Sequence, residues 1–143
     1  MRNRILGLTL AIFLASACLY GASYSGGDGN AETPYLISSQ EDFTTLTATP
    51  ADWDKAFLLT VDIDLSGQTF DNALIGYETT KDPDYDFYGT PFQGIFDGGD
   101  HTISGLTIHN TTGHNYIGLF GWAHNAEIKN LHLTNISITI PSV

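Results

Sequence analysis

Residues 92–98 have the sequence FQGIFDG, and residues 116–122 have the sequence YIGLFGW. Both stretches follow the order aromatic, any residue, Gly, aliphatic, Phe. A second pair of stretches comes after them in the same order. Residues 103–110 (ISGLTIHN) and 128–135 (IKNLHLTN) share the pattern I-x-[G/N]-L-x-[I/L]-x-N. Because two separate blocks recur in the same order at nearly constant spacing, the sequence predicts an internal repeat of about 24 residues.

The repeat predicts short strands that stack on one another. In the second block, Leu106 and Ile108 alternate with polar residues, so both would face the interior. Glycine at the bends allows the chain to turn where a Cβ would clash. A single coil cannot bury its apolar side, so we expect coils to stack about 4.8 Å apart. The expected fold class is therefore all-β, a right-handed parallel β-helix, and a β-sandwich of irregular hairpins is the alternative.

The repeat also aligns two asparagines, Asn110 and Asn135. On the 24-residue register they would lie above one another, and their amides would form a ladder along the stack. The alternative is that both asparagines cap loops.

The part before the repeat predicts an N-terminal cap over residues 23–56. A short strand is expected within residues 33–37. Ser39 precedes acidic residues, which is typical of a helix N-terminus, and Phe43 and Leu46 supply an apolar face. We therefore expect one helix of about two turns in the cap.

Residues 57–65 (FLLTVDIDL) predict the first strand of the stacked region, which we assign to residues 57–143. Asp62 and Asp64 alternate with aliphatic residues and would share the outward face. Two carboxylates placed in this way can act as an acid and base pair or bind Ca²⁺. Exposed, solvated carboxylates are the alternative. Since the chain stops soon after a strand, we expect only the first few coils of a larger solenoid.

The N-terminus has the pattern of a secretory signal peptide, assigned to residues 1–22. Residues 1–4 contain two arginines and no acidic residue, and residues 5–20 are almost wholly apolar. No second apolar run follows, so we expect no membrane span after the signal is removed. A cut before Cys18 would allow lipidation, as in bacterial lipoproteins, whereas a cut near Ala22 would not. The expected location is secreted or at the cell surface.

The charge of the chain restricts its partners. Five Lys and Arg stand against sixteen Asp and Glu. Removal of the leader would leave three lysines, and the formal charge would be −13. Such a chain is repelled by nucleic acid and by anionic membranes. Cations, cationic partners and neutral sugars suit it, and solubility alone is the alternative explanation.

The repeat blocks resemble the GLUG-motif proteins. The similarity covers residues 24–138; its densest parts are residues 92–106 and 116–121, and residues 24–29 resemble the start of the cap. The resemblance implies a bacterial surface or secreted repeat protein with a β-helical, pectate-lyase-like fold. The motif residues are Gly94, Phe96, Gly118, Leu119, Phe120 and Gly121.

Three aspartates form the strongest metal candidate in the sequence. Asp82, Asp84 and Asp86 alternate in one loop and could offer several oxygens to Ca²⁺. The glycine and the final glutamate of an EF-hand loop are absent. We expect no other cofactor.

Other polar and aromatic residues have competing interpretations. Asp97, Asp100 and His101 lie at a Gly-rich bend, where a structural turn role is the better explanation. The five histidines show no spacing typical of a zinc site. Exposed aromatic residues could stack on sugar rings; these are Tyr85, Phe87, Tyr88 and Trp122.

Two functions are compatible with these patterns. The first is a non-catalytic extracellular module for adhesion or for binding a glycan or another surface protein. The second is the N-terminal part of a secreted polysaccharide lyase or glycoside hydrolase. The predicted repeat strands contain one basic residue, Lys129, and no acidic residue, which favours the first function.

Overall fold

The computed structural model describes residues 23–81, 84 and 86–140. The predicted signal peptide and Cys18 lie outside these residues. One helix, α1 (Gln40–Ala48), and a short 3-10 turn (Pro50–Asp52) belong to the cap. The strands are β1 (Tyr35–Ile37), β2 (Ala56–Leu59), β3 (Ile63–Asp64), β4 (Ile95–Asp97), β5 (Thr102–Ser104), β6 (Thr107–His109), β7 (Glu127–Lys129), β8 (His132–Thr134) and β9 (Ser137–Thr139).

These strands form three sheets in which every pair is parallel. The orders are β1-β2-β4-β7, β3-β5-β8 and β6-β9. From β2 onwards, consecutive strands belong to different sheets. The chain returns to the β1-β2-β4-β7 sheet at β4 and again at β7. We call each such passage a layer: β4 to β6 form one layer and β7 to β9 the next. In the preceding layer, which begins with β2 and β3, Phe70 bridges to Ile108 in the third position. For the residues that the structure describes, the prediction of an all-β fold with one short helix is confirmed.

The helix of the cap forms where the sequence predicts it. The Ser39 side chain accepts a hydrogen bond from the Asp42 N–H at 3.0 Å, which satisfies one of the free donors of the first turn. Phe43 and Leu46 are buried. The Trp53 indole donates to the Leu46 carbonyl at 2.9 Å, so the end of the cap is tied to the helix.

The spacing between layers differs from the predicted repeat. Ile103 pairs with Leu133 and Ile108 pairs with Ile138, 30 residues apart, and Phe96 pairs with Ile128, 32 residues apart. The prediction of a 24-residue repeat, which paired Ile103 with Ile128, is therefore wrong. The predicted alignment is displaced by one strand, since it paired β5 with β7 instead of β8. The displacement arises because successive strands of the last layer carry similar five-residue patterns.

The recurring pattern comes from the corners between strands. Gly105 (φ 73°), Asn130 (φ 51°) and Asn135 (φ 53°) all have left-handed backbone conformations, and each is followed by Leu or Ile. Glycine and asparagine adopt this conformation at low cost. Because these three corners have the same requirement, their sequences resemble one another.

The interior consists of inward-facing residues that lie directly above one another. Phe96, Ile103 and Ile108 are fully buried in the middle layer. Their partners in the last layer are 41%, 46% and 45% exposed, because no described residue covers that side; these are Ile128, Leu133 and Ile138. Across the rest of the described chain the core is continuous with α1 and Trp53.

Gly94 is the position at which two layers approach most closely. A Cβ built there would lie 1.9 Å from the Lys55 carbonyl oxygen. Gly94→Ala must therefore push β4 away from β2. We expect a loss of about 1–3 kcal/mol in the free energy of unfolding, measured by urea denaturation. Gly26→Ala is the matched control, since its Cβ would meet only the end of the Leu36 side chain at 3.2 Å. Equal stability of the two variants would contradict the close approach.

Candidate functional site: a groove on the four-stranded sheet

The outward face of the β1-β2-β4-β7 sheet carries the candidate site. Ala56, Ile95 and Glu127 are register partners at the start of β2, β4 and β7. Because side chains alternate along a strand, their neighbours Phe57 and Phe96 face the core. The partners at the strand starts therefore form the base of a surface that crosses the layers.

A groove of about 510 Å³ lies over this surface. Its base is small and apolar, and consists of Gly29, Ala56, Gly94, Ile95 and Ala126. Its rim is polar, and consists of Asn30, Asp54, Lys55, Gln93, Asn125 and Glu127. A second cavity of about 190 Å³ shares Ala31, Ala56 and Ile95 with it and extends towards the ends of the strands. The groove draws its lining from four segments that are far apart in the sequence.

The charged groups of the groove are paired with each other. The Lys55 ammonium lies 2.8 Å from the Asp54 carboxylate, and the Lys129 ammonium lies 2.9 Å from Glu127. Hydrogen bonds that the ammonium groups donate to these carboxylates raise the pKa of both lysines. The rim is therefore close to electrically neutral, although the chain as a whole is strongly acidic.

Two amides on the rim keep their hydrogen-bonding groups available. Gln93 and Asn125 are exposed, and among the described residues neither side chain makes a hydrogen bond. Gln93 stands two residues before Ile95, and Asn125 stands two residues before Glu127. Because Ile95 and Glu127 are register partners, the two amides stand on successive layers.

The groove residues were missed by sequence reasoning. Gln93 lies inside the first repeat block, but as the variable position of the pattern. Asn125 lies in a turn with a left-handed backbone (φ 53°). The signal that could have found them is the correct layer spacing, which the 24-residue repeat did not provide.

The two strand carboxylates are each engaged separately. Asp62 accepts from the Thr102 N–H at 2.9 Å and lies 3.2 Å from His101 Nδ1, and these contacts lower its pKa. Asp64 accepts from the Ser66 N–H at 2.9 Å, and bonds to Ser66 lower its pKa. Asp62 follows β2 in a corner, so the two carboxylates do not share one strand as predicted. Both are exposed, which agrees with the solvated alternative.

The Gly-rich bend after β4 has the structural role expected for it. Asp97 accepts from the Gly99 N–H and from the Asn130 amide, both at 3.0 Å. These bonds, the first above all, lower the pKa of Asp97. Asp100 has a left-handed backbone (φ 61°) at the same corner. The Asp97 carboxylate therefore links the corner after β4 to the corner after β7 in the next layer.

The predicted metal residues are placed only in part. Asp84 and Asp86 are exposed, and Asp82 lies outside the described residues. Within residues 23–81, 84 and 86–140, no three His, Cys, Asp or Glu side chains come together in a way that could hold a metal ion. Calcium binding by this loop stays a prediction.

The two asparagines of the predicted ladder are not brought together. Asn110 follows β6, and its N–H donates to the Thr139 carbonyl at 3.0 Å. Asn135 follows β8 and lies opposite Gly105. The buried Asn110 side chain accepts from the Gly113 N–H at 2.7 Å and donates to the His114 carbonyl at 2.7 Å. It is thus a loop cap, which was the alternative interpretation.

The motif at 118–121 anchors a long loop to the core. Leu119 is buried, and the Phe120 ring lies 5.2 Å from Phe92 and 5.5 Å from Phe96. The Gly121 N–H donates to the Ile75 carbonyl at 2.8 Å. Gly118 has no side chain, and its backbone carbonyl accepts a hydrogen bond from the Leu74 N–H at 3.4 Å. The motif residues therefore have a packing role.

Two acidic residues that sequence reasoning did not single out hold the loop at 110–115. Glu78 is 1% exposed; its Oε2 accepts from the Asn115 N–H at 3.1 Å and lies 3.2 Å from His114 Nδ1. Its Oε1 has no hydrogen-bond partner in the described part of the chain. Asp71 accepts three bonds from Thr111 and Thr112, at 2.5–2.7 Å. The loop is thus clamped from one side by carboxylates.

Aromatic residues form a cluster near the same loop. The rings of Phe87 and Trp122 are stacked with centroids 5.2 Å apart, and Tyr116 meets both edge-on. Trp122 is 36% exposed and Tyr88 51% exposed. Tyr85 lies outside the described residues. Because the rings of the cluster cover one another, they offer less free face for a sugar than the sequence indicates.

No helix within the described residues is long and apolar enough to cross a membrane.

Two proteins of known sequence are similar to most of this chain. Halomucin of Haloquadratum walsbyi is 38% identical over 122 residues, and a "Putative Gly-rich membrane protein" of Evansella cellulosilytica is 34% identical over 118 residues. Each alignment covers 82% of this chain, but the chain spans about 1% of the first protein and 13% of the second. No family profile matches the chain, and no solved structure matches it.

The Asp71 clamp makes stability depend on acid. Hydrogen bonds from the hydroxyls of Thr112 and Thr111 hold the pKa of Asp71 well below its ordinary value. Its contribution is fully present above the unfolded-state pKa, about 3.9, and is lost as the pH falls through the lower folded-state pKa. Asp71→Asn should lower the melting temperature at pH 7, and this difference should shrink towards pH 2. The exposed Glu32→Gln is the control, and a difference that is constant between pH 7 and pH 2 would contradict the clamp.

Proposed function

We propose that this chain is a right-handed parallel β-helix in an exported or cell-surface protein, and that it binds a glycan or a partner protein without catalysis. Support for the β-helix comes from the three parallel sheets, each of which receives one strand from successive passages of the chain. The resemblance of residues 92–106 and 116–121 to GLUG-motif proteins points to the same fold.

The observation that carries the binding function is the groove. Its volume lies in the range of small-molecule sites, and it places polar groups around an apolar base. The groove lies on the outward face of the largest sheet, where the stacked strands provide a rigid base.

The charged groups favour binding over catalysis. Asp54 and Glu127 are each paired with a lysine, which competes with a ligand for the carboxylate. A general acid or base must reach the reacting atoms of its substrate with its proton position available. The available groups on the rim are instead amides, which bind without transferring protons.

The surface location has two sources of support. The N-terminal residues 1–22 have the pattern of a secretory signal. One of the two similar proteins is named as a membrane protein, which is compatible with a place at the cell surface.

Ala31→Trp tests the groove as the ligand surface. Ala31 is exposed and lines both cavities, so an indole there would fill the groove without disturbing the core. We expect the unmodified protein to bind members of an array of cell-surface glycans and surface proteins, and Ala31→Trp to lose at least about tenfold in affinity, since a filled cavity excludes its ligand.

The matched control is Ala51→Trp, at an exposed position in the 3-10 turn away from the groove. It should bind like the unmodified protein. Binding that Ala31→Trp leaves unchanged would overturn the groove as the ligand surface. Release of soluble products from an array glycan would overturn the non-catalytic function.

A further inference from the structure

We infer that the groove binds a neutral glycan chain that crosses strands β2, β4 and β7, with the amides of Gln93 and Asn125 as its principal hydrogen-bonding groups. This inference rests on the proposed function, because it takes the groove as the ligand surface and names the ligand class.

The two amides match the chemistry of sugar hydroxyls. A primary amide offers two donors and an acceptor oxygen, and a hydroxyl both donates and accepts. Among the described residues, neither the Gln93 nor the Asn125 side chain makes a hydrogen bond, so a ligand that pairs with these amides breaks no bond within the fold. Amide groups that are not committed to the fold can therefore pair with adjacent hydroxyls of one ring.

The direction of the glycan follows from the positions of the amides. Gln93 and Asn125 precede β4 and β7, which are neighbours in the sheet. Parallel strands lie about 4.8 Å apart, a distance comparable to the width of a sugar ring. A chain that meets both amides must run across the strands, and the groove continues in that direction to Asn30 beyond β2.

The base of the groove suits the non-polar face of a sugar. Ala56 and Ile95 are register partners that point outward. Gly94, which directly precedes β4, has no side chain. A Cβ on Gly94 would strike the Lys55 carbonyl, so the residue also keeps the base flat. The C–H groups of a ring can pack on this base while its hydroxyls reach the rim.

The pairing of charges selects against ionic ligands. The two carboxylates of the rim, Asp54 and Glu127, are neutralised by Lys55 and Lys129. A cation must compete with a lysine for each of these carboxylates. A polyanion such as a uronic-acid chain meets no free ammonium, and the acidic chain repels it at long range. A neutral ligand meets neither the competing ion pairs nor the long-range repulsion.

The test is calorimetric titration of the full chain with two sets of hexasaccharides. The neutral set contains glucans, mannans, galactans and an N-acetylglucosamine oligomer, and the acidic set contains oligogalacturonate and oligoalginate. The tightest ligand should be neutral. Gln93→Ala and Asn125→Gly should each weaken its binding by about threefold to tenfold, as expected for the loss of one hydrogen-bonding group.

The controls match each variant in exposure and backbone. Gln68→Ala removes another exposed glutamine, and Asn135→Gly replaces another asparagine with a left-handed backbone (φ 53°). Both should bind within about twofold of the unmodified protein, because neither residue lines the groove.

Three results would overturn the inference. Tightest binding of an acidic oligosaccharide would do so, as would neutral binding that Gln93→Ala and Asn125→Gly leave unchanged. In both cases sensitivity to Ala31→Trp would leave the proposed function standing. If no member of the two oligosaccharide sets or of the surface-protein array showed binding that Ala31→Trp abolishes, the inference and the proposed function would both be overturned.

Discussion

Each strand of this chain is two to four residues long, and parallel hydrogen bonds to the strand of the neighbouring layer hold it in place. Strands of this length have no stability on their own, because an isolated pair cannot bury enough apolar surface. The pairing also stacks inward-facing residues, as in Ile103 over Leu133 and Ile108 over Ile138. Hydrogen bonding and core packing thus depend on the same register, and a change in one would disrupt the other.

The candidate site is a product of that register. Gln93 and Asn125 are 32 positions apart in the sequence, yet the pairing of Ile95 with Glu127 places them before neighbouring strands, and both line the groove. Gly94 permits the approach of β4 to β2 that forms the base. The site therefore combines strand residues, such as Ala56 and Ile95, with residues of the segments that precede the strands, such as Gln93 and Asn125.

Local features of the fold could be predicted from the sequence with good accuracy. Ser39 caps the helix, Phe43 and Leu46 face the core, and the inward positions of the repeat strands alternate as expected. These features depend on a few neighbouring residues. The layer spacing depends instead on how many residues the chain spends in the loop between β6 and β7. The sequence around Ile128, in β7, resembles that of the next strand, β8. The predicted alignment therefore paired β5 with β7 instead of β8.

The site was harder to predict for the same reason. The acidic residues that stood out in the sequence, such as Asp62 and Asp97, are bonded to corners of the fold. Gln93 and Asn125 have no distinctive neighbours, and their importance appears only when the layers are stacked. Glu78 was equally inconspicuous, although it is buried beneath the loop that it holds.

The most direct measurement of the stacking register is the set of backbone nuclear Overhauser effects between neighbouring strands in solution. The account predicts contacts between the backbones of Ile103 and Leu133 and between those of Ile108 and Ile138. Strand contacts between Ile103 and Ile128 and between Ile108 and Leu133 would show the shorter repeat. They would separate Gln93 from Asn125 and contradict both the fold and the groove built on it.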